Sequence, residues 1–305
     1  MIPSSQLSEN ESLIIEMLRK LKIVIFDMDG VLRIGNDIVD GAEDIIVNLK
    51  NKLNIESVIL TNECRYTNRY LFRNLQSLGV NLNENTLIYT ASNNIYHFLE
   101  KQVKKKQNEI FEIVSIGEEG LIHNIKKLKR FKNVIIHDLK DENKIINQNS
   151  IFYMVIGTVN KITIKLLQNI LLWFDNNPKI LTTCEDNNDP SSKGDFTLGL
   201  PNHILHLLKF NVNKNHYSLG KPNPIIKDNI MKKIENKYGK KIKCNEILFV
   251  GDTLYTDIRL AIESDFNSLL VLSGNTKKQG IENSIISPDF VLDSVKDLNN
   301  LLEKI

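Results

Sequence analysis

Short apolar runs rich in β-branched residues alternate with helical patterns along both ends of the chain. The first run, at residues 22–32, is followed by a helical pattern at residues 45–53 and a second run at residues 57–60. Two further runs, at residues 246–252 and 268–272, are separated by another helical pattern. Apolar strands that alternate with helices are typical of a parallel sheet covered on both faces. The pattern predicts an α/β fold whose sheet is built from both ends of the chain.

The middle of the chain continues this alternation and is more polar at its joints. Strands are predicted at residues 87–89, 110–116, 133–136, 152–156 and 179–183, and helices at residues 93–105, 119–128 and 161–174. Because so many elements follow one another, we interpret this stretch as a second α/β unit inserted into the first. We predict a Rossmann-like parallel-sheet core domain at residues 1–85 and 207–305, with an inserted α/β domain at residues 86–206.

Composition and charge exclude several classes of partner. The 305 residues carry a formal net charge of +2, which provides no electrostatic case for binding nucleic acid or a membrane surface. No apolar run approaches the ~20 residues of a membrane-spanning helix. The three cysteines, Cys64, Cys184 and Cys244, are widely separated and lack metal-ligand spacing. An odd number of unclustered thiols indicates a reducing, cytoplasmic compartment.

Polar side chains occur where the predicted strands end. Asp27 and Asp29 end the first strand, and taken alone they would be interpreted as an Asp-Gly turn at Gly30. Thr61 ends the second strand, and Asp252 ends a later one. Because the carboxyl ends of parallel strands meet at one edge of a sheet, we expect these side chains to converge.

Two more charged residues belong to this expected edge. Lys221 lies in a loop before a helix, and Asp257 follows Asp252 by five residues. Crowded carboxylates repel one another unless a cation compensates, and oxygen ligands without His or Cys suit Mg²⁺. A hydroxyl and an ammonium suit a phosphate group. Since a carboxylate beside such a cation can form an aspartyl-phosphate, these residues indicate phosphoryl transfer.

Four short motifs, in this order along the chain, resemble those of the haloacid dehalogenase-like hydrolases. They are Asp27-Met28-Asp29-Gly30-Val31, Leu60-Thr61-Asn62, Gly220-Lys221-Pro222-Asn223-Pro224 and Gly251-Asp252-Thr253-Leu254-Tyr255-Thr256-Asp257-Ile258. The long interval between the second and third motifs resembles the class II arrangement, in which a cap domain is inserted there. Residues 31–35 and 41–42 look like the NagD-like subclass, which includes 4-nitrophenylphosphatases and phosphoglycolate or pyridoxal phosphatases.

The resemblance implies catalytic and phosphate-binding roles. Asp27 would be the nucleophile, and Asp29 would protonate the leaving oxygen and then activate water. Thr61 and Asn62 would hold the phosphate group. Lys221 would offset the negative charge of Asp27 and of the phosphoryl group.

The same resemblance implies a Mg²⁺ site beside the nucleophile. Asp27 and Asp252 would contribute carboxylates, and Asp29 would bind the ion through its backbone carbonyl. Asp257 would either ligate the ion or orient it through water. Taken alone, Asp257 could equally be a first-turn helix residue that the helix dipole favours.

Two positions depart from the subclass pattern, and we expect them to affect substrate selection. Glu63 stands where the subclass usually has Asn, and a carboxylate there is unfavourable unless it points away or pairs with Arg65 or Arg69. In the inserted unit, Cys184 replaces the Asn of a Thr-Asn-x-Asp segment whose acid is matched by Asp186. Asp186 is therefore a candidate for selecting the leaving group, with an acidic loop residue as the alternative.

Three functional hypotheses remain open from the sequence. The first is a Mg²⁺-dependent phosphatase acting on a small phosphorylated metabolite. The second is a non-catalytic relative whose cap binds a protein partner, and the third is a phosphotransferase that uses the same intermediate. The intact set of core carboxylates favours catalysis over the second hypothesis. A homodimer through the cap is an open alternative to a monomer.

Overall fold

The computed structural model describes residues 8–141, 146–186, 200–208, 216–239 and 241–305. The strands in these ranges are β1 Ile23–Phe26, β2 Arg33–Ile34, β3 Asp37–Ile38, β4 Glu56–Thr61, β5 Leu87–Thr90, β6 Phe111–Ile116, β7 Val134–His137, β8 Ile151–Ile156, β9 Lys179–Thr182, β10 His216–Ser218, β11 Ile247–Gly251, β12 Asn267–Val271 and β13 Phe290–Leu292. The α-helices are α1 Glu9–Leu18, α2 Ile45–Leu53, α3 Asn68–Ser77, α4 Ala91–Lys105, α5 Glu119–Lys126, α6 Ile164–Phe174, α7 Pro201–Leu207, α8 Ile225–Tyr238, α9 Arg259–Glu263, α10 Lys278–Glu282 and α11 Val295–Leu302. None of these helices is both long and apolar enough to cross a bilayer.

A six-stranded sheet is built from both ends of the chain, as the alternating pattern predicts. Its order is β13-β12-β11-β1-β4-β5, and every neighbouring pair is parallel. Strand β1 lies at the centre, and its four side chains are buried because apolar clusters cover both faces of the sheet. A strand buried on both faces must be apolar at successive positions, which explains the continuous Ile23-Val24-Ile25-Phe26 run.

A five-stranded parallel sheet forms the second α/β unit. Its order is β10-β9-β8-β6-β7, and helices α5 and α6 pack on its opposite faces. Leu121 and Ile125 of α5 contact one face, and Ile170 and Trp173 of α6 contact the other. The α/β class with two parallel sheets is confirmed.

The chain changes sheets later than the sequence pattern predicts. The strand predicted at residues 87–89 for the inserted unit is β5, which instead pairs with β4 and buries Ile88 and Tyr89 in the six-stranded sheet. Strand β10, which the pattern did not predict, pairs with β9 at the edge of the five-stranded sheet. Pairing between strands distant in sequence is set by tertiary packing, so local periodicity does not reveal it. A small β2–β3 hairpin was also not predicted.

Candidate active site

The strand order brings three of the predicted residues to one edge of the six-stranded sheet. Strands β11, β1 and β4 are direct neighbours, and Asp252, Asp27 and Thr61 lie at their carboxyl ends. All three side chains are buried. The sequence places them there because each strand contains a short apolar run, and the polar residue follows the last apolar positions of the strand.

Lys221 lies inside this group of carboxylates. Its Nζ is 2.5 Å from Asp27 Oδ1 and 2.8 Å from Asp257 Oδ1, and it donates to the backbone oxygen of Leu60 at 3.3 Å. Burial alone would lower the pKa of Lys221, but Asp257 and Asp27 together raise it above its ordinary value. The two carboxylates therefore favour the charged ammonium form of Lys221, which contacts Asp27 through Oδ1. Within the described residues, Asp27 Oδ2 has no hydrogen-bond partner.

The carboxylate of Asp257 is already fully engaged by the protein. Asp257 Oδ2 accepts hydrogen bonds from the backbone N–H groups of Asp252 and Thr253, each at 3.1 Å, while Oδ1 faces Lys221. Gly251 is required beside it, since a Cβ there would lie 2.2 Å from Asp257 Cβ. Asp257 thus orients Lys221 and the turn after β11, which favours an indirect role at a metal over direct ligation.

Asp252 is held between two loops and has a raised pKa. Its Oδ2 accepts the backbone N–H of Asn275 at 2.6 Å, and its Oδ1 accepts the Thr253 hydroxyl at 3.0 Å. A Cβ on Gly30 or Gly274 would come within 2.4 or 2.0 Å of Asp252 Oδ2, so neither position tolerates a side chain. Burial and the nearby Asp257 raise the pKa of Asp252 to about 7.

The metal-free protein should lose stability as the pH rises from about 4 to about 7. Asp252 titrates at about 7 when folded and near 3.8 when unfolded, so its contribution to folding is greatest below the unfolded pKa and is lost as the pH passes through the folded one. Asp252→Asn should reduce the slope of unfolding free energy against pH, measured by urea denaturation in the presence of a chelator. Asp265→Asn, at a surface side chain that is 82% exposed, should keep the wild-type slope. Wild-type stability that rises across this range would contradict the prediction.

Asp29 is paired with an arginine that the sequence analysis did not identify. Its Oδ1 is 2.9 Å from Nε of Arg33, and Arg33 in turn donates to Oδ1 of Asn74. Burial raises the pKa of Asp29, although Arg33 opposes the effect. The Asp29 side chain is 19% exposed and is separate from the cluster of Asp27, Asp252 and Asp257. The spacing of four residues between Asp29 and Arg33 is the one sequence signal that could have revealed the pair.

Glu63 forms an ion pair with Arg65, one of the two arginines considered from the sequence. Its two carboxylate oxygens are each 3.0 Å from Arg65 Nε, and Oε2 is 2.5 Å from the terminal nitrogen Nη2. Arg33 Nη2 lies 4.0 Å from Glu63 Oε2. The backbone N–H of Glu63 donates to Thr61 Oγ1 at 3.0 Å, so the Thr61 hydroxyl proton is free to donate elsewhere. Glu63, which replaces the Asn usual in the subclass, therefore lines the site as a carboxylate whose charge is balanced by Arg65.

Asn62 connects the two sheets. Its Nδ2 donates to Asp186 Oδ2 at 2.7 Å, and its Oδ1 accepts the backbone N–H of Lys221 at 2.8 Å. Burial raises the pKa of Asp186, while the hydrogen bond from Asn62 opposes it. Asn62, the predicted phosphate ligand, thus donates its side-chain N–H to Asp186, the residue predicted to select the leaving group.

A small cavity of about 70 Å³ joins these groups. It is larger than the ~30 Å³ that one water occupies in the liquid and much smaller than the ~300 Å³ at which pockets for drug-sized ligands begin. Its walls include every residue that the sequence analysis assigned to the site except Asp257: Asp27, Asp29, Thr61, Asn62, Glu63, Asp186, Lys221 and Asp252. Arg65, Thr158 and Asn275 line it as well, and no sequence pattern pointed to Thr158 or Asn275.

The donor set fits a hard divalent cation. One carboxylate oxygen each from Asp27, Asp252 and Asp257 lie within 4.8 Å of one another, and all three residues are buried. Because Lys221 and two backbone N–H groups already engage Asp257, the direct carboxylate ligands would be Asp27 and Asp252. Burial raises the pKa of Asp27 well above its ordinary value despite Lys221, and Asp257 and Asp252 raise it further. A second cation beside Lys221 would relieve this repulsion, and all-oxygen sites favour Mg²⁺ or Ca²⁺ over softer metals.

Comparison with known protein families agrees with the arrangement of the site. A model described as haloacid dehalogenase-like hydrolase matches residues 24–129, and a model described as HAD-hydrolase-like matches residues 218–298. This chain belongs to the haloacid dehalogenase-like hydrolases. Together the two models include the strands that carry Asp27, Thr61 and Asp252, and they also include Lys221.

Named relatives place this haloacid dehalogenase-like hydrolase with the NagD-like subclass. It is 25% identical over 279 residues to the ribonucleotide monophosphatase NagD of Escherichia coli K12, covering 92% of this chain and 98% of the relative. It is also 25% identical over 272 residues to the dihydroxyacetone phosphatase of Corynebacterium glutamicum, covering 89% of this chain and 88% of the relative.

Solved structures show the same fold for this hydrolase. A hypothetical protein of Pyrococcus horikoshii OT3 superposes with a TM-score of 0.73 at 26% identity, over 92% of this chain and 100% of the other. The 4-nitrophenylphosphatase of Thermotoga maritima superposes with a TM-score of 0.72 at 24% identity, over 93% of this chain and 98% of the other.

Proposed function

We propose that this chain is a Mg²⁺-dependent phosphatase that hydrolyses a small phosphomonoester through an aspartyl-phosphate on Asp27. Its family and its relatives make it a phosphoric monoester hydrolase. The observation that carries the finer proposal is the Asp27 carboxylate in the cavity, with Lys221 on one oxygen and no hydrogen bond from a described residue to the other. A carboxylate held in this way can attack phosphorus without first reorienting.

The reaction would proceed in two balanced steps. In the first, Asp27 Oδ2 forms a bond to phosphorus as the ester oxygen leaves, and Asp29 gives that oxygen a proton. In the second, Asp29 takes a proton from water, the water oxygen attacks phosphorus, and the Asp27–phosphate bond breaks to release orthophosphate. One residue serves as acid and then as base, so no proton is left over.

Charge on the transferring group would be balanced by fixed donors. Lys221 reaches the cavity as an ammonium, and the Thr61 hydroxyl has a free proton because its oxygen already accepts from Glu63 N–H. Mg²⁺, when bound by Asp27 and Asp252 and the backbone carbonyl of Asp29, would supply further charge neutralisation. Groups that are pre-placed in a dry cavity stabilise developing charge more than water does.

The substrate would be a small phosphorylated metabolite. The cavity of about 70 Å³ leaves room for little beyond a phosphate group while the two sheets are in contact. Asp186 and the Glu63–Arg65 pair would meet the part of the substrate next to the ester oxygen, where they select the leaving group. We further propose a cytoplasmic location, which suits the three free cysteines, with a homodimer through the inserted cap unit as the alternative to a monomer.

Release of phosphate from 4-nitrophenyl phosphate, with Mg²⁺ and with a chelator, tests the proposal. We expect turnover that requires the metal and extends to a panel of small phosphomonoesters. No turnover across the panel would favour the non-catalytic, protein-binding reading. Adding an acceptor alcohol and comparing free phosphate with transferred product separates hydrolysis from phosphotransfer.

Arg33→Ala should reduce kcat by about 10²-fold, because Asp29 would lose the partner that fixes its orientation. KM should change little, since Arg33 does not line the cavity. Arg33 opposes the raised pKa of Asp29, so its removal should also shift the pH–rate profile to higher pH. Arg33→Lys should recover part of kcat, which a purely structural defect would not allow. An unchanged kcat and profile in Arg33→Ala would contradict the positioning role.

A further inference from the structure

A second, larger cavity of about 730 Å³ lies at the carboxyl-end edge of the five-stranded sheet. Its walls come from the ends of β6 and β7, the segment after β8, and helices α5 and α6. It shares no lining residue with the candidate active-site cavity. The volume lies within the range of about 300–1,000 Å³ that is usual for small-molecule sites.

The cavity occupies the position at which open α/β sheets bind ligands. The order of this sheet is β10-β9-β8-β6-β7, so β7 and β8 lie on opposite sides of β6. The chain first adds β7 on one side of β6 and then crosses back to add β8 on the other. The connections on the two sides run over opposite faces, through α5 and α6, and they leave a crevice beyond the carboxyl ends of β6 and β8. Such a reversal of strand order creates the binding crevice in doubly wound folds.

Positive charge is concentrated around this crevice. Two acidic residues in the described part of the chain, Glu118 and Asp138, line it, and both accept backbone N–H groups, of Asn160 at 2.8 Å and of Lys140 at 3.0 Å. Among the described residues, five lysines line it with exposed side chains: Lys126, Lys129, Lys140, Lys161 and Lys165. Lys165 also has a partner within the protein. Because the whole chain carries a net charge of only +2, this excess is local and suits a polyanion.

Helix α6 begins at the cavity wall. Thr163, its N-cap residue, lines the cavity, as do Lys165 and Leu166 of the first turn. The Thr163 side chain accepts the N–H of Leu166, and no acidic residue occupies this turn. The remaining first-turn N–H groups and the helix dipole therefore add to the lysines as partners for phosphate.

The rest of the wall is apolar with two unpaired acceptors. Ile122, Ile136 and Leu166 contribute apolar surface. His137 Nδ1 and Asn169 Oδ1 are buried and have no hydrogen-bond partner in the described part of the chain. His137 Nε2 lies 2.7 Å from a Glu112 carboxylate oxygen, which favours the proton on Nε2 and leaves Nδ1 as an acceptor. A ligand with an apolar ring would match this wall, and a ligand N–H or O–H that reached these two buried atoms would supply the hydrogen bonds that they lack.

We propose that this crevice binds a nucleoside phosphate. Its phosphates would contact Lys161, Lys165 and the first turn of α6, and its base and ribose would lie against the apolar wall with its two acceptors. The inference does not depend on the proposed phosphatase reaction, because it concerns different residues.

Isothermal titration with the slowly hydrolysed ATP analogue adenylyl imidodiphosphate, in metal-free buffer, tests the proposal. The double variant Lys161→Glu/Lys165→Glu should bind the analogue at least about tenfold more weakly than wild type. The matched control, Lys101→Glu/Lys105→Glu, changes the same charge on the exposed face of α4 in the same unit and should bind as wild type does. Hydrolysis of 4-nitrophenyl phosphate by the first variant should stay at the wild-type rate.

Selective weakening in the first variant alone would support the site. Absence of binding to wild type, or equal weakening in both variants, would overturn it, since the second result reports only overall charge. Binding that the first variant leaves intact would locate the analogue elsewhere and would overturn it as well. Thermal unfolding of the three proteins checks that each is folded.

Discussion

Asp27→Asn should lower kcat for 4-nitrophenyl phosphate by at least about 10⁴-fold, because an amide cannot supply the attacking oxygen that the reaction requires. The substitution keeps the size of the side chain, and Lys221 keeps its contact with Asp257 at 2.8 Å. The loss should therefore appear in turnover rather than in folding. Rates are measured with saturating Mg²⁺, and thermal unfolding verifies the native state.

Asp265→Asn is the matched control for this variant, since it makes the same chemical change at a surface side chain and should retain full activity. Rapid acid quench of wild type with radiolabelled substrate should trap phosphate on the protein, whereas Asp27→Asn should trap none. An Asp27→Asn protein with near-wild-type turnover would exclude the covalent mechanism, even if phosphatase activity itself remained.

Lys221→Met should destabilise the metal-free protein by about 3–5 kcal/mol at pH 8, because it removes the ammonium that contacts two buried carboxylates. The penalty should be smaller at pH 5, where Asp252, with its pKa of about 7, carries a proton. Turnover should fall as well, by about 10²-fold or more, since a fixed charge beside the transferring group is lost. Urea denaturation at both pH values, with a chelator, measures the first effect.

Lys227→Met provides the comparison for this second variant. Lys227 pairs with the exposed Asp265 at 3.1 Å, and such surface pairs contribute about 0–1 kcal/mol. Equal stability of Lys221→Met and wild type at pH 8 would show that the carboxylates need no compensating charge. That result would remove the electrostatic argument for a cation site.

Much of the site could be predicted because strand ends are local features. The runs that end in Asp27, Thr61 and Asp252 are continuous in sequence, and parallel pairing brings such ends together. Lys221 lies in a loop and ends no predicted strand, so its assignment to this edge rested on its charge and on the resemblance of its motif to a known family. The motif does not show that the Lys221 ammonium also contacts Asp257. In the structure, Lys221 Nζ lies 2.8 Å from Asp257 Oδ1.

The remaining features depend on contacts between distant parts of the chain. The pairing of β5 with β4 and of β10 with β9 depends on how the strands pack in the core. The periodicity of apolar residues within one strand does not indicate which strand will be its neighbour. The bond from Arg33 to Asn74 depends in the same way on where α3 packs. The pair of Glu63 and Arg65 was within reach of sequence reasoning, because the two residues are near neighbours.

The late return of the chain from the five-stranded sheet has a mechanical consequence. Strand β10 ends at Ser218, and only Leu219 and Gly220 separate it from Lys221. Leu219 is buried, and a Cβ on Gly220 would lie 2.0 Å from the backbone oxygen of Thr183. Both linker residues are therefore closely packed against the protein. Any swing of the five-stranded sheet must either turn at these two residues or carry the ammonium with it. Opening the cavity and withdrawing positive charge from Asp27 are thus linked by a tether two residues long.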